Sequence, residues 1–240
     1  GGESTRPGAD PVPVAEELAR VLPVVEALAA DGEARISIDT RKADVADAAV
    51  AAGATLVNDV SASPALAEVA ADRGAGWVAM HMQGEPGSMQ HQPTYGDVVA
   101  EVHDLLVERA EQASRAGVQE VWLDPGIGFG KALEHNLALL AHLEQLTAAG
   151  WPVVLGVSRK SSLGVLTARS DARGGHPDLA PAGTDGSEPA VAAPVDERLD
   201  ASLALAAWSV GAGVGMVRVH DVAETVRALD AAVAVEAVAA

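Results

Sequence analysis

Cysteine is absent from the 240-residue chain, which excludes disulfides and any metal site built on thiolates. Aromatic residues are nearly as scarce, with one Phe, one Tyr and four Trp. The core must therefore come from Ala, Val and Leu, which suits helices packed on short buried strands better than a sandwich of sheets. Lysine occurs only at Lys42, Lys131 and Lys160, in a chain of formal net charge -18. A field of that sign opposes nucleic acid and anionic membranes and favours solubility. If the substrate is an anion, the chain must gather its few cations locally. Long apolar runs are also missing. The longest uncharged stretch, Ala201 to Val217, is at the short end for a membrane span and reads as a buried helix running into a strand. No signal peptide is recognisable, and the first residue is Gly1 rather than methionine.

What is present is an alternation. Helices are expected over Val12–Ala30 (kinked or divided by Pro23), Arg41–Ala52, Ser63–Arg73, Asp97–Ala116, Glu134–Ala149, Asp200–Gly211 and from Asp221 to about Val238. Each rests on 3.6-residue apolar spacing or on terminal signals such as Ser63-Pro64, Asp97 and Gly117. Between them lie short apolar strands: Ile36–Ile38, Thr55–Val57, Trp77–Met80, Val121–Leu123, Val153–Val157 and Met216–His220. Met82 to Gly96 reads as a long loop, and Arg169 to Pro194, rich in Gly, Pro, Asp and Ala, as a disordered surface insertion. Strand followed by helix, six times over, predicts a parallel α/β architecture. No G-x-G-x-x-G follows a strand, so a Rossmann cofactor site is unsupported. The even spacing and the polar groups at the strand ends predict a single (β/α)8 TIM-barrel domain over residues 1–240. At roughly 30 residues per unit, the chain falls short by the first strand-helix unit and most of the second strand, and Gly1-Gly2 marks that strand's end.

The strand ends carry the chemistry. Asp39 and Asp124 each close a strand directly. Each is open to a turn or capping role, but two carboxylates at a barrel mouth also accept hydrogen bonds from a guanidine-like heterocycle edge. Asn58 offers a donor and an acceptor, while Asp59 points the other way and reads as structural. His81 ends the third strand as a ligand contact or a satisfied rim histidine. Phe129 sits in the Gly-rich stretch Asp124-Pro125-Gly126-Ile127-Gly128-Phe129-Gly130-Lys131, where stacking on a ligand suits it better than a core role. Ser158-Arg159-Lys160-Ser161 joins a buried strand to a helix start, and Arg218 with His220 closes the last strand. Helix N-termini and paired cations suit an anion, and phosphate sites in barrels favour the loops after strands seven and eight. Counting Gly1-Gly2 as strand two, these are the strands carrying Lys160 and Arg218. The alternative is that Arg218 pairs with Asp221 or another surface carboxylate.

In this order and spacing, Gly1-Gly2-Glu3-Ser4-Thr5-Arg6-Pro7-Gly8, Ser37-Ile38-Asp39-Thr40, Val57-Asn58-Asp59-Val60, His81-Met82-Gln83-Gly84, the Asp124–Lys131 stretch, Ser158-Arg159-Lys160 and Arg218-Val219-His220-Asp221 resemble the dihydropteroate synthase family. The likeness runs across the chain except for 169–194. It implies a transferase of folate biosynthesis that condenses 6-hydroxymethyl-7,8-dihydropterin diphosphate with 4-aminobenzoate. By that resemblance Asp39, Asn58, Asp124 and Lys160 hold the pterin. Thr5, Pro7, Phe129, Lys160 and Ser161 surround the aminobenzoate, and Thr5, Arg6, Arg218 and His220 hold the diphosphate. Asp39, Lys160, Arg218 and His220 are the expected catalytic groups. Mg2+ is the implied cofactor, its Asn ligand expected upstream of Gly1 and no metal ligand within this chain. A homodimer in the cytoplasm, without nucleic-acid or membrane partners, is likewise implied. Two rivals remain: a pterin-dependent methyltransferase, which the Thr5-Arg6-Pro7 loop and the Lys160 corner disfavour because a methyl donor brings no diphosphate, and a non-catalytic pterin-binding paralogue.

Overall fold

The structure is a computed structural model that describes residues 2–6, 8–172 and 191–239. Pro7 and most of the expected insertion, residues 173–190, lie outside the described residues. The chain divides into two compact units, Gly1–Val154 and Leu155–Ala240.

The first unit runs α1 (Val14–Asp31), β1 (Ser37–Asp39), α2 (Ala43–Ala51), β2 (Leu56–Asp59), α3 (Pro64–Arg73), β3 (Gly76–Met80), α4 (Val98–Ala116), β4 (Val121–Asp124), α5 (Leu133–Ala141) and α6 (Leu143–Thr147). Strands β1 to β4 form a parallel sheet in chain order, and a further parallel bridge joins Leu123 to Val153. Because helices return the chain after each strand, the inner strands β2 and β3 are buried along their whole length and read as apolar runs. Trp77 has no exposed surface, and Val57, Leu66, Val78, Leu106 and Leu123 are likewise fully or almost fully buried.

The register decides which polar groups meet. Asp39 pairs with Asn58, Asn58 with Val78, and Met80 with Asp124. Paired residues in parallel strands face the same side, as do residues two apart within a strand. Asp39, Asn58 and Asp124 therefore share one face of the sheet, and Asp59 lies on the other.

Several boundaries differ from expectation for local reasons. Pro23 does not divide α1, which runs unbroken from Val14 to Asp31. Its missing backbone bond is outweighed by a stripe at four-residue spacing, Glu17, Val21 and Val25, all buried; Leu28 is exposed. Ser63 takes the N-cap of α3 without a side-chain capping bond, and its backbone N–H donates to Asp59 Oδ2 at 2.6 Å. Asp97 caps α4 as expected, accepting from Val99 N and Ala100 N. The single helix expected over 134–149 is two helices, broken where His142 leaves helical geometry at φ -116° and ψ 23°.

Strand β5 (Val154–Leu155) pairs with β6 (Met216–Val217). The second unit continues with α7 (Ser161–Ala172), a 3-10 turn (Val195–Glu197), α8 (Leu199–Gly211) and, after β6, α9 (Val222–Ala239). Arg169–Ala172, which composition had placed in the insertion, belongs to α7. Ala193 near its other end is buried and donates its N–H to Gly164 O at 2.9 Å. A Cβ on Gly164 would stand 2.6 Å from Arg198 Nε and 2.9 Å from Ala193 O, so glycine permits this close approach. Strand β6 ends at Val217, before Arg218 and His220. The extended path persists nonetheless, since Arg218 N bonds Leu155 O and His220 N bonds Ser158 Oγ. Among the described residues no helix is long and apolar enough to cross a membrane.

Candidate active site

In the first unit, the C-terminal edge of the sheet presents Asp39, Asn58, His81 and Asp124. Asn58 and Asp124 are buried and Asp39 half-buried. Parallel neighbours lie about 4.8 Å apart, so the paired Asp39 and Asn58 offer acceptor and amide side by side. Asp124 has a turn function as well, because its Oδ1 accepts the Gly126 N–H at 2.7 Å. Asp59, fully buried, accepts from Ser61 N, Ser61 Oγ, Ser63 N and Trp77 Nε1. Burial nevertheless raises its pKa above the usual carboxylate range, against the pull of those donors.

The Gly-rich stretch after β4 packs tightly on the end of β3. Gly126 (φ +65°) and Gly130 (φ +60°) have left-handed backbones, and a Cβ there would fall 1.9 Å from His81 O or 2.2 Å from Gln83 O. Only glycine fits either place. Lys131, almost fully buried, clamps the assembly. Its Nζ donates to the carbonyls of His81, Gly126 and Phe129 and to His81 Nδ1 at 2.9 Å. Burial and then the Lys131 charge push the His81 pKa down to about 3, so this imidazole is neutral at ordinary pH with Nδ1 as acceptor. Phe129, half-buried, is held through its backbone by this clamp.

The second unit holds the basic corner. Arg159 adopts a left-handed backbone, φ +58°, unusual for a residue other than glycine. Three contacts hold it there. Its N–H reaches Ser202 Oγ, its carbonyl accepts from Arg198, and its guanidinium forms a two-pronged pair with Asp221. The partner of Asp221 is thus Arg159, where Arg218 had been the alternative. Lys160 caps the start of α7, its carbonyl accepting from Leu163 N and Gly164 N, and Ser161 opens the helix exposed to solvent. Ser158 Oγ lies 3.0 Å from His220 Nδ1. Partial burial, then the charges of Arg159, Arg218 and Lys160, hold the His220 pKa below its usual value.

The loop before α1 carries Thr5, half-buried, and Arg6, exposed. Pro7 lies outside the described residues. An open cleft of about 640 Å³ beside this loop is lined by Glu3, Ser4, Arg6, Glu16 and Arg20 among others, and by none of the strand-end groups. Two features escaped the sequence: the Lys131 clamp, signalled only by a lysine closing a Gly-rich loop, and a Glu3–Lys42–Glu17 cluster built on the buried Glu17. For the latter a signal existed, since Glu17 shares the helical stripe of Val21 and Val25.

Residues 1–220 match the family model of the pterin binding enzymes. Dihydropteroate synthase of Escherichia coli K12 is 42% identical over 233 residues, which is 95% of this chain and 74% of that protein. The chain belongs to the dihydropteroate synthase family. Two solved dihydropteroate synthases agree with it in fold. That of Yersinia pestis, in a sulfonamide drug complex, has a TM-score of 0.83 at 38% identity, covering 98% of this chain and 78% of its own. That of Xanthomonas albilineans, with 4-aminobenzoic acid, has a TM-score of 0.80 at 43% identity, covering 99% and 78%. The chain shares the α/β TIM-barrel fold class of these solved structures.

Proposed function

We propose that this chain condenses 6-hydroxymethyl-7,8-dihydropterin diphosphate with 4-aminobenzoate to give 7,8-dihydropteroate and diphosphate, and that its site residues act as follows. Asp39, Asn58 and Asp124, set on one face by the sheet register, take the donors and acceptors of the pterin edge, with Lys160 as a further pterin contact. Arg218 and His220, with Thr5 and Arg6, take the diphosphate. Thr5, Pro7, Phe129, Lys160 and Ser161 enclose the aminobenzoate.

The C–O bond at the pterin methylene breaks first, and diphosphate departs with the electron pair, its growing charge met by Arg218 and a hydrogen bond from His220. The cation left on the methylene spreads into the ring, and the anionic Asp39 stabilises it. The arylamine nitrogen then donates its lone pair to form the C–N bond and releases a proton. No side-chain nucleophile is required, and catalysis is positioning plus fixed electrostatics.

The observation that carries this reading is the register-locked row of Asp39, Asn58 and Asp124. Magnesium belongs to the family expectation, but the described residues contain no group of three His, Asp or Glu able to hold it. The expected Asn ligand lies upstream of Gly1, and no step is routed through an ion. A homodimer in the cytoplasm completes the reading, on the family resemblance alone.

The test is turnover of the two substrates in magnesium buffer, with 7,8-dihydropteroate quantified by chromatography. Lys160→Ala and Arg218→Ala are each expected to lower kcat/KM by about a hundredfold or more with circular dichroism unchanged. Normal turnover in either variant removes that residue's role. Pterin binding without turnover in the unaltered protein would favour a non-catalytic paralogue.

A further inference from the structure

Around Lys42 three charged groups, far apart in sequence, form one chain that runs from a buried carboxylate to a half-buried one. Glu17 has no exposed surface. Its Oε2 accepts from Lys42 Nζ at 2.6 Å, and its Oε1 accepts from Thr40 Oγ1 at 2.8 Å. Lys42 Nζ also donates to Glu3 Oε2 at 2.9 Å, and that same oxygen accepts the Val12 N–H at 2.8 Å. Glu3 thereby closes the loop from residue 3 to residue 12, the loop that carries Thr5 and Arg6. The preceding residue is also anchored, since Arg20 Nη1 donates to Gly2 O at 3.0 Å. A Cβ on Gly2 would stand 2.6 Å from Glu17 Oε1, so the loop's backbone lies directly on the buried carboxylate.

The chain Glu17–Lys42–Glu3 thus joins two parts with different independent support. At one end is Thr40, which follows Asp39 and stays in the sheet through Thr40 N to Asn58 O. At the other end is a loop without strand or helix of its own. Losing the Lys42 ammonium removes the one group that bridges the Glu17 and Glu3 carboxylates and, among the described residues, leaves only Arg41 Nε, 4.0 Å from Glu3 Oε1, as a cation beside Glu3. Repulsion then acts on the part that is free to move, which is the loop.

We propose that Lys42 is a positioning residue, one that holds the Thr5–Arg6 loop in its working geometry for aminobenzoate and diphosphate while the pterin row on the strand ends keeps its own support. This rests on the proposed role of Thr5 and Arg6.

The experiment compares Lys42→Met, Lys42→Arg, Glu3→Gln and Thr5→Ala in steady-state synthesis of dihydropteroate, with calorimetric binding of 6-hydroxymethylpterin, which lacks the diphosphate. Lys42→Met is expected to raise the KM for 4-aminobenzoate at least about tenfold and to leave the 6-hydroxymethylpterin Kd within about twofold. Lys42→Arg restores the KM because it returns the charge. Glu3→Gln shifts it in the same direction but less, since the amide oxygen still accepts from Val12 and Lys42. If Lys42→Met does not fold, Glu3→Gln and Lys42→Arg give the same comparison. An unchanged aminobenzoate KM in a charge-removing variant whose urea midpoint has fallen overturns the proposal, because the cluster is then only structural. An equal loss of pterin affinity overturns it too. If Thr5→Ala leaves both substrates' KM unchanged, the role assigned to the loop fails first; if Thr5→Ala raises them and Lys42→Met does not, only the inference about Lys42 fails.

Discussion

His81 offers a quantitative test through acid. In the folded chain its pKa is about 3, against 6.5 for an unperturbed histidine, because the ring is buried and the Lys131 ammonium stands against Nδ1. The unfolded chain therefore binds the proton more tightly than the folded one. The stability gained by keeping this ring neutral is complete above about pH 6.5 and is lost as pH falls from there towards 3. One pKa unit is worth about 1.4 kcal/mol, so the loss between pH 7 and pH 5 is about 2 kcal/mol from this group alone. Many carboxylates also begin to titrate near pH 5, and a variant is needed to isolate the ring. His81→Gln keeps an acceptor for Lys131 but does not titrate. Urea unfolding followed by tryptophan fluorescence, at pH 7 and pH 5 for both proteins, gives four free energies. The acid-induced drop is expected to be about 2 kcal/mol smaller in the variant. Constant offsets from the altered contacts cancel in this double difference. A difference below about 0.5 kcal/mol would refute the neutral, lysine-facing histidine.

Three further outcomes are expected. Asp59→Ala strips a fully buried acceptor from four donors, and equilibrium unfolding should show a loss of about 3 kcal/mol or more, while the KM values at a temperature well below melting stay within about twofold of the parent. Gly126→Ala forces a Cβ to within 1.9 Å of His81 O at a left-handed backbone position. It should cost at least about 2 kcal/mol in thermal unfolding and lower turnover, because the loop carrying Phe129 must shift. Ser158→Ala removes the hydroxyl that bridges to His220, and the KM for the pterin diphosphate should rise about tenfold, near 1.4 kcal/mol, with the KM for 4-aminobenzoate nearly constant.

The strand ends were readable because each apolar run stops abruptly at a polar residue, and a parallel strand gives its side chains only two directions. Hence Asp39, Asn58 and Asp124 could be named and Asp59 set apart; the sheet register puts the first three on one face and Asp59 on the other. Where the chain bends for tertiary reasons, local signals are weak. Nothing at His142 resembles a helix breaker, yet α5 and α6 part there. Pro23 is a strong breaker, yet α1 passes through it on the strength of its buried stripe. Arg218-Val219-His220 alternates like a strand, but regular pairing ends at Val217. Charged groups with distant partners are the hardest to foresee. A glutamate on a helix defaults to solvent, and the partners that draw Glu17 inward lie 23 and 25 residues away. The basic corner was visible as a cluster of cations. Which cation takes Asp221 depends on the left-handed turn at Arg159, which composition does not reveal.

The shared face of Asp39, Asn58 and Asp124 also sets a rule of parity for how this gene tolerates length changes. An in-frame insertion of one codon inside β1 or β2 leaves the hydrophobic content almost untouched but turns every later side chain of that strand to the opposite face. Two codons restore the facing but carry the polar group one step out of the row. Loops obey no such rule, and the long segment between Met82 and Gly96 shows how much chain can be accommodated between a strand end and the next helix. Length variants of this protein should therefore accumulate in its connections, whereas the three- and four-residue strands β1, β2 and β4 keep their length.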